Sequence, residues 1–347
     1  MTRMRVALIG AGRMGQLHAT VLAGISDSVD LVVADIDEAR AAGVAADVGV
    51  TSLPVDVALA QADAMVIVSA TEAHPSLIRS GLAQRIPVFC EKPLALDLAE
   101  TYRLVDEIEA AGIPFQMGFQ RRFDVAYREA RRRVEIGALG TLYLVRMTAN
   151  DHTPPPEAYI PTSGKVFRDS SIHDFDAIRW LTGEEVQNVY ADGEVRGFDM
   201  FARHGDVDTV VVTLRMRNGI LGVLGGGRHN PRGYDVRMEL VGSSDAVIMG
   251  WSDRTPIQPL DPGASHMGTG WDSFLDRFEQ AYRDELRAFV EVAAGRATSA
   301  CSARDGLEAM RVAEAASRSL TERRPVGLDE IGVEGVAEGG ATSAHAT

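Results

Sequence analysis

The chain has 347 residues, 46% hydrophobic and 24% charged, a globular composition with room for about two domains of roughly 150 residues each. Its 35 basic residues face 49 acidic ones, a formal charge of -14, which argues against a surface built to coat nucleic acid or anionic lipid. Two cysteines, Cys90 and Cys301, exclude a disulfide framework and a cysteine-rich metal centre, and no apolar run approaches the roughly 20 residues of a membrane span. Glycines break the basic start and no small-residue cleavage pattern follows, so a cytoplasmic protein is expected.

Unbroken apolar runs at residues 4–10 (MRVALIG), 29–35 (VDLVVAD), 64–70 (AMVIVSA), 86–92 (IPVFCEK) and 113–118 (IPFQMG) read as strands buried on both faces of a parallel sheet. Alanine-rich stretches at 15–23, 38–47, 75–84 and 97–111 supply crossover helices. This alternation predicts a doubly wound α/β domain, a Rossmann fold, over residues 1–118. After Gly118 the pattern changes. A basic helical segment is expected at 121–136, ended by Gly137, with Arg131, Arg132 and Arg133 on a solvated face or a subunit contact. Runs at 141–149, 208–216, 220–227, 235–243 and 246–251 read as an open, mainly antiparallel sheet in an α+β domain over 119–330. Asn218-Gly219 marks a hairpin with a type I′ turn, whose two central residues both need positive φ. Helices are expected at 284–294 and 303–318, the second capped by Ser302 with Asp305 three residues on. The small, polar residues 331–347 are expected to be disordered.

Gly10-Ala11-Gly12-Arg13-Met14-Gly15 fits G-x-G-x-x-G. In a chain with 34 glycines the triplet alone is weak, but here it leaves the first strand and opens a helix. Gly10 permits the tight turn, Gly12 lets backbone approach a pyrophosphate, and Gly15 lets helix and strand pack closely. Asp35 ends the second strand, where a carboxylate bonds ribose hydroxyls and repels a 2′-phosphate, so NAD is favoured over NADP. A structural glycine turn without nucleotide is the alternative. Glu91-Lys92-Pro93 sits at the end of the run 86–92, at the carboxyl end of the sheet, where ligands gather in open α/β folds. A lysine there can bond a substrate hydroxyl; a solvated loop lysine is the other reading. In Asp169-Ser170-Ser171-Ile172-His173-Asp174-Phe175-Asp176 a helix would put Asp169, His173 and Asp176 on one face. His173 suits a general base; a capping aspartate beside a satisfied histidine is the bland alternative. No metal-ligand spacing such as H-E-x-x-H and no G-x-S-x-G elbow occurs, so no metal is expected. Cys90 ends a buried strand and reads as core.

Together GAGRMG, Glu91-Lys92-Pro93, Gly118-Phe119-Gln120-Arg121-Arg122-Phe123-Asp124 and DSSIHDFDAIRWL resemble the Gfo/Idh/MocA oxidoreductases over about residues 4–328. Within that family the segment GFQRRFD, the D-x-x-x-H spacing, Gly233-Tyr234-Asp235 and the aromatic stretch 271–286 are most similar to the inositol 2-dehydrogenase group. The resemblance implies NAD-dependent oxidation of a cyclic polyol or sugar hydroxyl to a ketone, with myo-inositol as the leading substrate. It implies Lys92, Asp169 and His173 as the catalytic set: His173 as base, Lys92 polarising the oxygen, Asp169 orienting the substrate. It also implies a Lys92-Pro93 peptide that is often cis. Thr71, His74, Glu91 and Gln120 would lie beside the cofactor with Gly10, Gly12, Arg13, Met14 and Asp35. For Thr71 and His74 a turn threonine and a helix-start histidine before Pro75 stay open. Arg121, His152, Asp176, Tyr234 and Tyr282 would contact the substrate, held between the two domains. Pro154-Pro155-Pro156 departs from the group's pattern near His152. The family further implies a homodimer or homotetramer through the open sheet face. Another sugar substrate, an NAD-using glycosidase and a non-catalytic dinucleotide sensor are the competing readings.

Overall fold

The computed structural model describes residues 3–25, 27–261 and 268–332. Residues 333–347, most of the tail expected to be disordered, lie outside the described residues, and Ile331 just before them is buried. In chain order the first elements are β1 (Met4–Ile9), α1 (Arg13–Ala23), β2 (Val29–Ala34), α2 (Glu38–Val48), β3 (Thr51–Ser52), α3 (Val55–Ala60), β4 (Ala64–Ile67), α4 (His74–Gln84), β5 (Val88–Glu91), α5 (Leu98–Ala111) and β6 (Phe115–Gly118). Then come α6 (Val125–Glu135), β7 (Leu142–Asn150), α7 (Ile172–Thr182), β8 (Val186–Glu194), α8 (Asp199–Arg203), β9 (Thr209–Met216), β10 (Leu221–Gly227), β11 (Asp235–Gly242) and β12 (Ala246–Met249). The chain ends with α9 (Phe274–Arg277), α10 (Glu279–Ala293), α11 (Ala303–Glu322) and β13 (Val326–Gly327).

The chain forms two compact units, one of residues 1–123 with 280–307, the other of 124–279 with 308 onward. In the first, six strands pair in parallel in the order β3-β2-β1-β4-β5-β6. The order reverses between β1 and β4, which is the switch point where doubly wound sheets take their ligand. The apolar runs produce this because parallel strands sandwiched by helices bury both faces: Val6, Leu8, Ala64, Val66 and Phe89 lie in one core, and the alternating Ala7, Ile9, Met65, Ile67 and Cys90 are buried on the other face. α10 completes that core with Leu286, Phe289 and Val290, Phe289 packing 5.7 Å from Phe89 between ring centroids. The Gln116 amide donates to the Glu285 carbonyl at 3.0 Å. Residues 280–307, expected with the second domain, thus belong to the first, because the apolar face of α10 is the lid of its core. The Ser302 cap of α11 is present: its hydroxyl donates to Asp305 Oδ2 at 2.7 Å and accepts the Asp305 N–H at 3.2 Å.

The second unit holds a seven-stranded sheet in the order β12-β11-β7-β10-β9-β8-β13. All pairs are antiparallel except β7 with β10. One face is covered and the other open: along β9, Val210, Val212, Leu214 and Met216 are buried while Thr209, Val211, Thr213 and Arg215 are exposed. The predicted hairpin joins β9 to β10, but its turn is not type I′. Only Gly219 has positive φ (94°), its N–H donates to the Met216 carbonyl, and Ile220 pairs back to Met216. That is a three-residue loop with a glycine bulge. The basic helix is shorter than expected. Gln120–Phe123 is a tight 3-10 turn with Arg121 and Arg122 buried, and α6 begins at Val125, where Asp124 Oδ1 accepts the N–H groups of Ala126 and Tyr127. Arg131 pairs with Glu135 and the Trp180 carbonyl, and Arg132 and Arg133 both pair with Glu129.

Candidate active site

The glycine loop between β1 and α1 is shaped by contacts that leave no room for a side chain. Gly10 has φ of 115°, and a Cβ on it would lie 2.6 Å from the Ser69 nitrogen. On Gly15 a Cβ would lie 2.1 Å from the Gly10 carbonyl oxygen, so helix and strand touch there. Gly12 differs: nothing lies within 4 Å of its added Cβ, and it is exposed at the start of α1 beside exposed Arg13 and half-buried Met14. The result is an open cradle of backbone amides at a helix start with no acidic residue in its first turn, which fits a dinucleotide pyrophosphate. Asp35, buried at the end of β2, accepts the Ala11 N–H at 2.6 Å and the Asp37 N–H at 2.9 Å. Its carboxylate therefore ties the end of β2 to the glycine loop, and Arg40 approaches it only to 3.8 Å.

Lys92 stands half-buried where β5 ends, and the Lys92-Pro93 peptide is cis. The turn is held from both sides by buried histidines. On one side His18, fully buried on α1, shares a 2.7 Å hydrogen bond with Glu91 Oε1. Its ring is edge-on to Phe89 and Tyr282, at 5.6 and 5.8 Å between centroids. Gly118 of β6 backs the same carboxylate, because a Cβ there would lie 3.0 Å from Glu91 Oε2. On the other side His74 sets Nδ1 2.8 Å from the Pro93 carbonyl and Nε2 3.2 Å from the Ser69 carbonyl. Burial pushes the His74 pKa below its ordinary value, against the pull of those two carbonyls. Both ring nitrogens of His74 thus engage backbone, and Thr71 lies in the tight turn before it. Gln120 and Arg121 are buried in the turn after β6, and Tyr282 is buried on α10. The first unit so brings together the glycine loop, Asp35, Glu91, Lys92, His74 and Tyr282.

In the second unit Asp169 lies not on α7 but in a π-helical turn, Phe167–Ser171, that leads into it. Its carboxylate has both oxygens occupied: Tyr159 donates its hydroxyl to Oδ1 at 2.8 Å and Arg228 donates Nη2 to Oδ2 at 2.9 Å. His173 and Asp176 follow on α7, Asp176 buried. α7 itself presses so closely on β10 that a Cβ on Gly222 would meet Ile178 Cδ1 at 2.8 Å. His152 Nδ1 lies 3.3 Å from the Asp272 carbonyl. Buried Tyr234 donates its backbone N–H to the Trp271 carbonyl at 2.7 Å. Among the described residues no group of three His, Cys, Asp or Glu is arranged to hold a metal ion. His18, Tyr159 and Arg228 were not singled out from the sequence. The only local hint was a histidine three residues after Gly15; the partners that give these residues meaning lie 73, 10 and 59 positions away.

Comparison with known proteins identifies the family. Residues 4–119 match the oxidoreductase family with an NAD-binding Rossmann fold, and residues 127–248 match the GFO/IDH/MocA C-terminal domain. A myo-inositol 2-dehydrogenase of Thermotoga maritima is 36% identical over 332 residues, covering 94% of this chain and 99% of the relative. A solved structure, of a probable dehydrogenase from Thermotoga maritima, superposes with a TM-score of 0.88 at 35% identity, over 94% of this chain and 100% of that one. Another, of scyllo-inositol dehydrogenase from Lactobacillus casei with bound NAD(H) and scyllo-inositol, gives 0.84 at 28% identity, with coverage of 94% and 100%. With a glycine cradle, an acid ending β2 and a lysine ending β5, matched along both domains, the chain belongs to the GFO/IDH/MocA family of NAD-dependent oxidoreductases.

Proposed function

We propose that this oxidoreductase acts on a secondary hydroxyl of a cyclic polyol, with myo-inositol the leading substrate and an inosose the product. The observation that supports it most is the match to inositol dehydrogenases along nearly the whole chain, together with Lys92 at the carboxyl end of β5, the ligand-binding end of the sheet. NAD, when bound, accepts the hydride from the carbinol carbon. Gly10, Gly12, Arg13 and Met14 would hold its pyrophosphate and Asp35 its adenosine ribose. His173 takes the hydroxyl proton at Nε2, since Nδ1 is buried. The Lys92 ammonium donates to the same oxygen and favours the developing alkoxide. Asp169, acceptor-only when ionised, orients the substrate through a neighbouring hydroxyl. Arg121, Asp176, His152, Tyr234 and Tyr282 are the further polyol contacts in this reading, with Thr71, His74, Glu91 and Gln120 around the cofactor.

The test is reduced-nicotinamide formation from NAD and a panel of inositols, hexoses and uronates at mildly alkaline pH. Turnover of myo-inositol that drops by about 10²–10⁴-fold in His173→Ala, and is lost in Lys92→Ala with NAD still bound, is the expected result. A panel in which only hexoses or uronates react moves the substrate and keeps the chemistry; Lys92→Ala with parental activity removes the proposed site.

The same reading includes association through the open face of the second sheet. Tyr190, Val211, Leu221 and Ile248 stand there 38%, 53%, 44% and 42% exposed, an apolar density that marks an interaction surface. The cytoplasm is the proposed site of action, in keeping with two buried cysteines that form no disulfide. No helix among the described residues is long and apolar enough to cross a membrane.

A further inference from the structure

The prolines at 154–156 lead into a tight turn, Glu157–Thr162, and that turn delivers Tyr159 to Asp169. Tyr159 is 41% exposed, yet its hydroxyl is committed to Asp169 Oδ1 at 2.8 Å. The other carboxylate oxygen is held by a residue of the opposite kind. Arg228 is only 6% exposed, and its Nη2 donates to Asp169 Oδ2 at 2.9 Å while Nε lies 3.1 Å from Asp151 Oδ2. The fold explains the meeting. β7 and β10 run parallel, so Asn150 and Gly227 end side by side, and the next residue of each strand carries one charge. The Asp151 N–H donates to the Gly227 carbonyl and the Arg228 N–H to the Asp208 carbonyl, fixing the backbone on both sides. Burial works against the Arg228 charge, but attraction to Asp151 and Asp169 outweighs it and its pKa is raised. One buried guanidinium therefore serves two carboxylates, and an exposed phenol completes the shell of one of them.

We propose that Arg228 is a positioning residue for Asp169, and that Tyr159, gripping the same carboxylate from the solvent side, is a specificity-determining residue for the polyol. This rests on the reading of Asp169 as the substrate-orienting group. Arg228 fixes the rotamer and charge of Asp169. Tyr159 shares Oδ1 with the incoming substrate hydroxyl and so lies beside the ring carbon that bears it. Epimers that differ at that carbon place their hydroxyl towards the phenol or away from it. The phenol oxygen can also accept from the substrate while its proton stays on Asp169.

The experiment is a kinetic cycle on the enzyme with NAD, using as alternative substrates myo-inositol and D-chiro-inositol, which differ at a ring carbon beside C2 and not at C2 itself. Arg228→Met is expected to lower kcat/KM for myo-inositol by about 10–100-fold, raising KM for the polyol while the affinity for NAD, read by fluorescence, is unchanged. Arg228→Lys recovers part of the loss. In an Asp169→Asn background Arg228→Met costs less than about threefold, because a residue acting through another loses its effect when that other is gone. Tyr159→Phe is expected to change the ratio of kcat/KM for the two epimers by about 3–10-fold without moving the melting temperature. Equal costs of Arg228→Met in both backgrounds overturn the positioning role, and an unchanged epimer ratio in Tyr159→Phe overturns the specificity role. Should Arg228→Met not fold, Arg228→Lys carries the same cycle. An Asp169→Asn enzyme with parental kcat/KM overturns the assignment of Asp169 and this proposal with it, a result distinct from failure of the cycle alone.

Discussion

A neutral imidazole has one N–H, and His74 faces two carbonyl oxygens with it. Because burial holds its pKa below the ordinary 6.5, the unfolded chain binds a proton that the folded chain refuses. The stability that neutral His74 contributes is therefore whole above pH 6.5 and declines as the pH falls below that value, by at most about 1.4 kcal/mol per pH unit. Urea denaturation between pH 8 and pH 5 is expected to show that decline, and His74→Gln to flatten it. An unchanged slope in the variant would place the loss on other groups. At this scale the sequence was informative wherever a residue's meaning is local. The glycine loop, Asp35 and Lys92 are fixed by neighbours within a strand and a turn. His18 was not visible in that way: one histidine on an apolar helix face gives no sign of a carboxylate 73 residues on. Arg228 was hidden similarly, since its role depends on two strands ending in register.

Elements were legible in proportion to how plainly their burial shows. The doubly buried strands of the first sheet stand out as apolar runs. β8 did not, because only Val186, Val189 and Ala191 turn inward among polar residues and a glycine. β3 and β13 are two residues each, too short for any periodicity. α10 was foreseen as a helix near 284–294, but periodicity reveals a helix's apolar face without saying which sheet it covers. That face is what joins it to the first core, so its truncation should be felt there. Phe289→Ala, emptying a site against Phe89, is expected to cost about 3–5 kcal/mol of unfolding free energy and to weaken NAD binding together with stability. A loss below about 1 kcal/mol in chemical denaturation would show that α10 is not part of that core.

For the whole molecule the open sheet is the feature with the largest consequence for its state in solution. If copies associate through it, charge placed at its centre will separate them without touching either core. Val211→Glu with Leu221→Glu, both on the exposed face of β9 and β10, should shift sedimentation from a dimer or tetramer to a smaller species with NAD affinity retained. A parent chain that sediments as a monomer at micromolar concentration rules the association out.

The return of residues 280–307 to the first unit also bears on how the protein is made. On the ribosome, residues 1–123 emerge with strands, helices and glycine loop all present but without Leu286, Phe289 and Val290 to seal the core. At about 5–20 residues per second, the wait for α10 lasts roughly ten to thirty seconds. Throughout that time the nascent nucleotide-binding half exposes Phe89 and its neighbours. It becomes a finished domain only once α10 has been made.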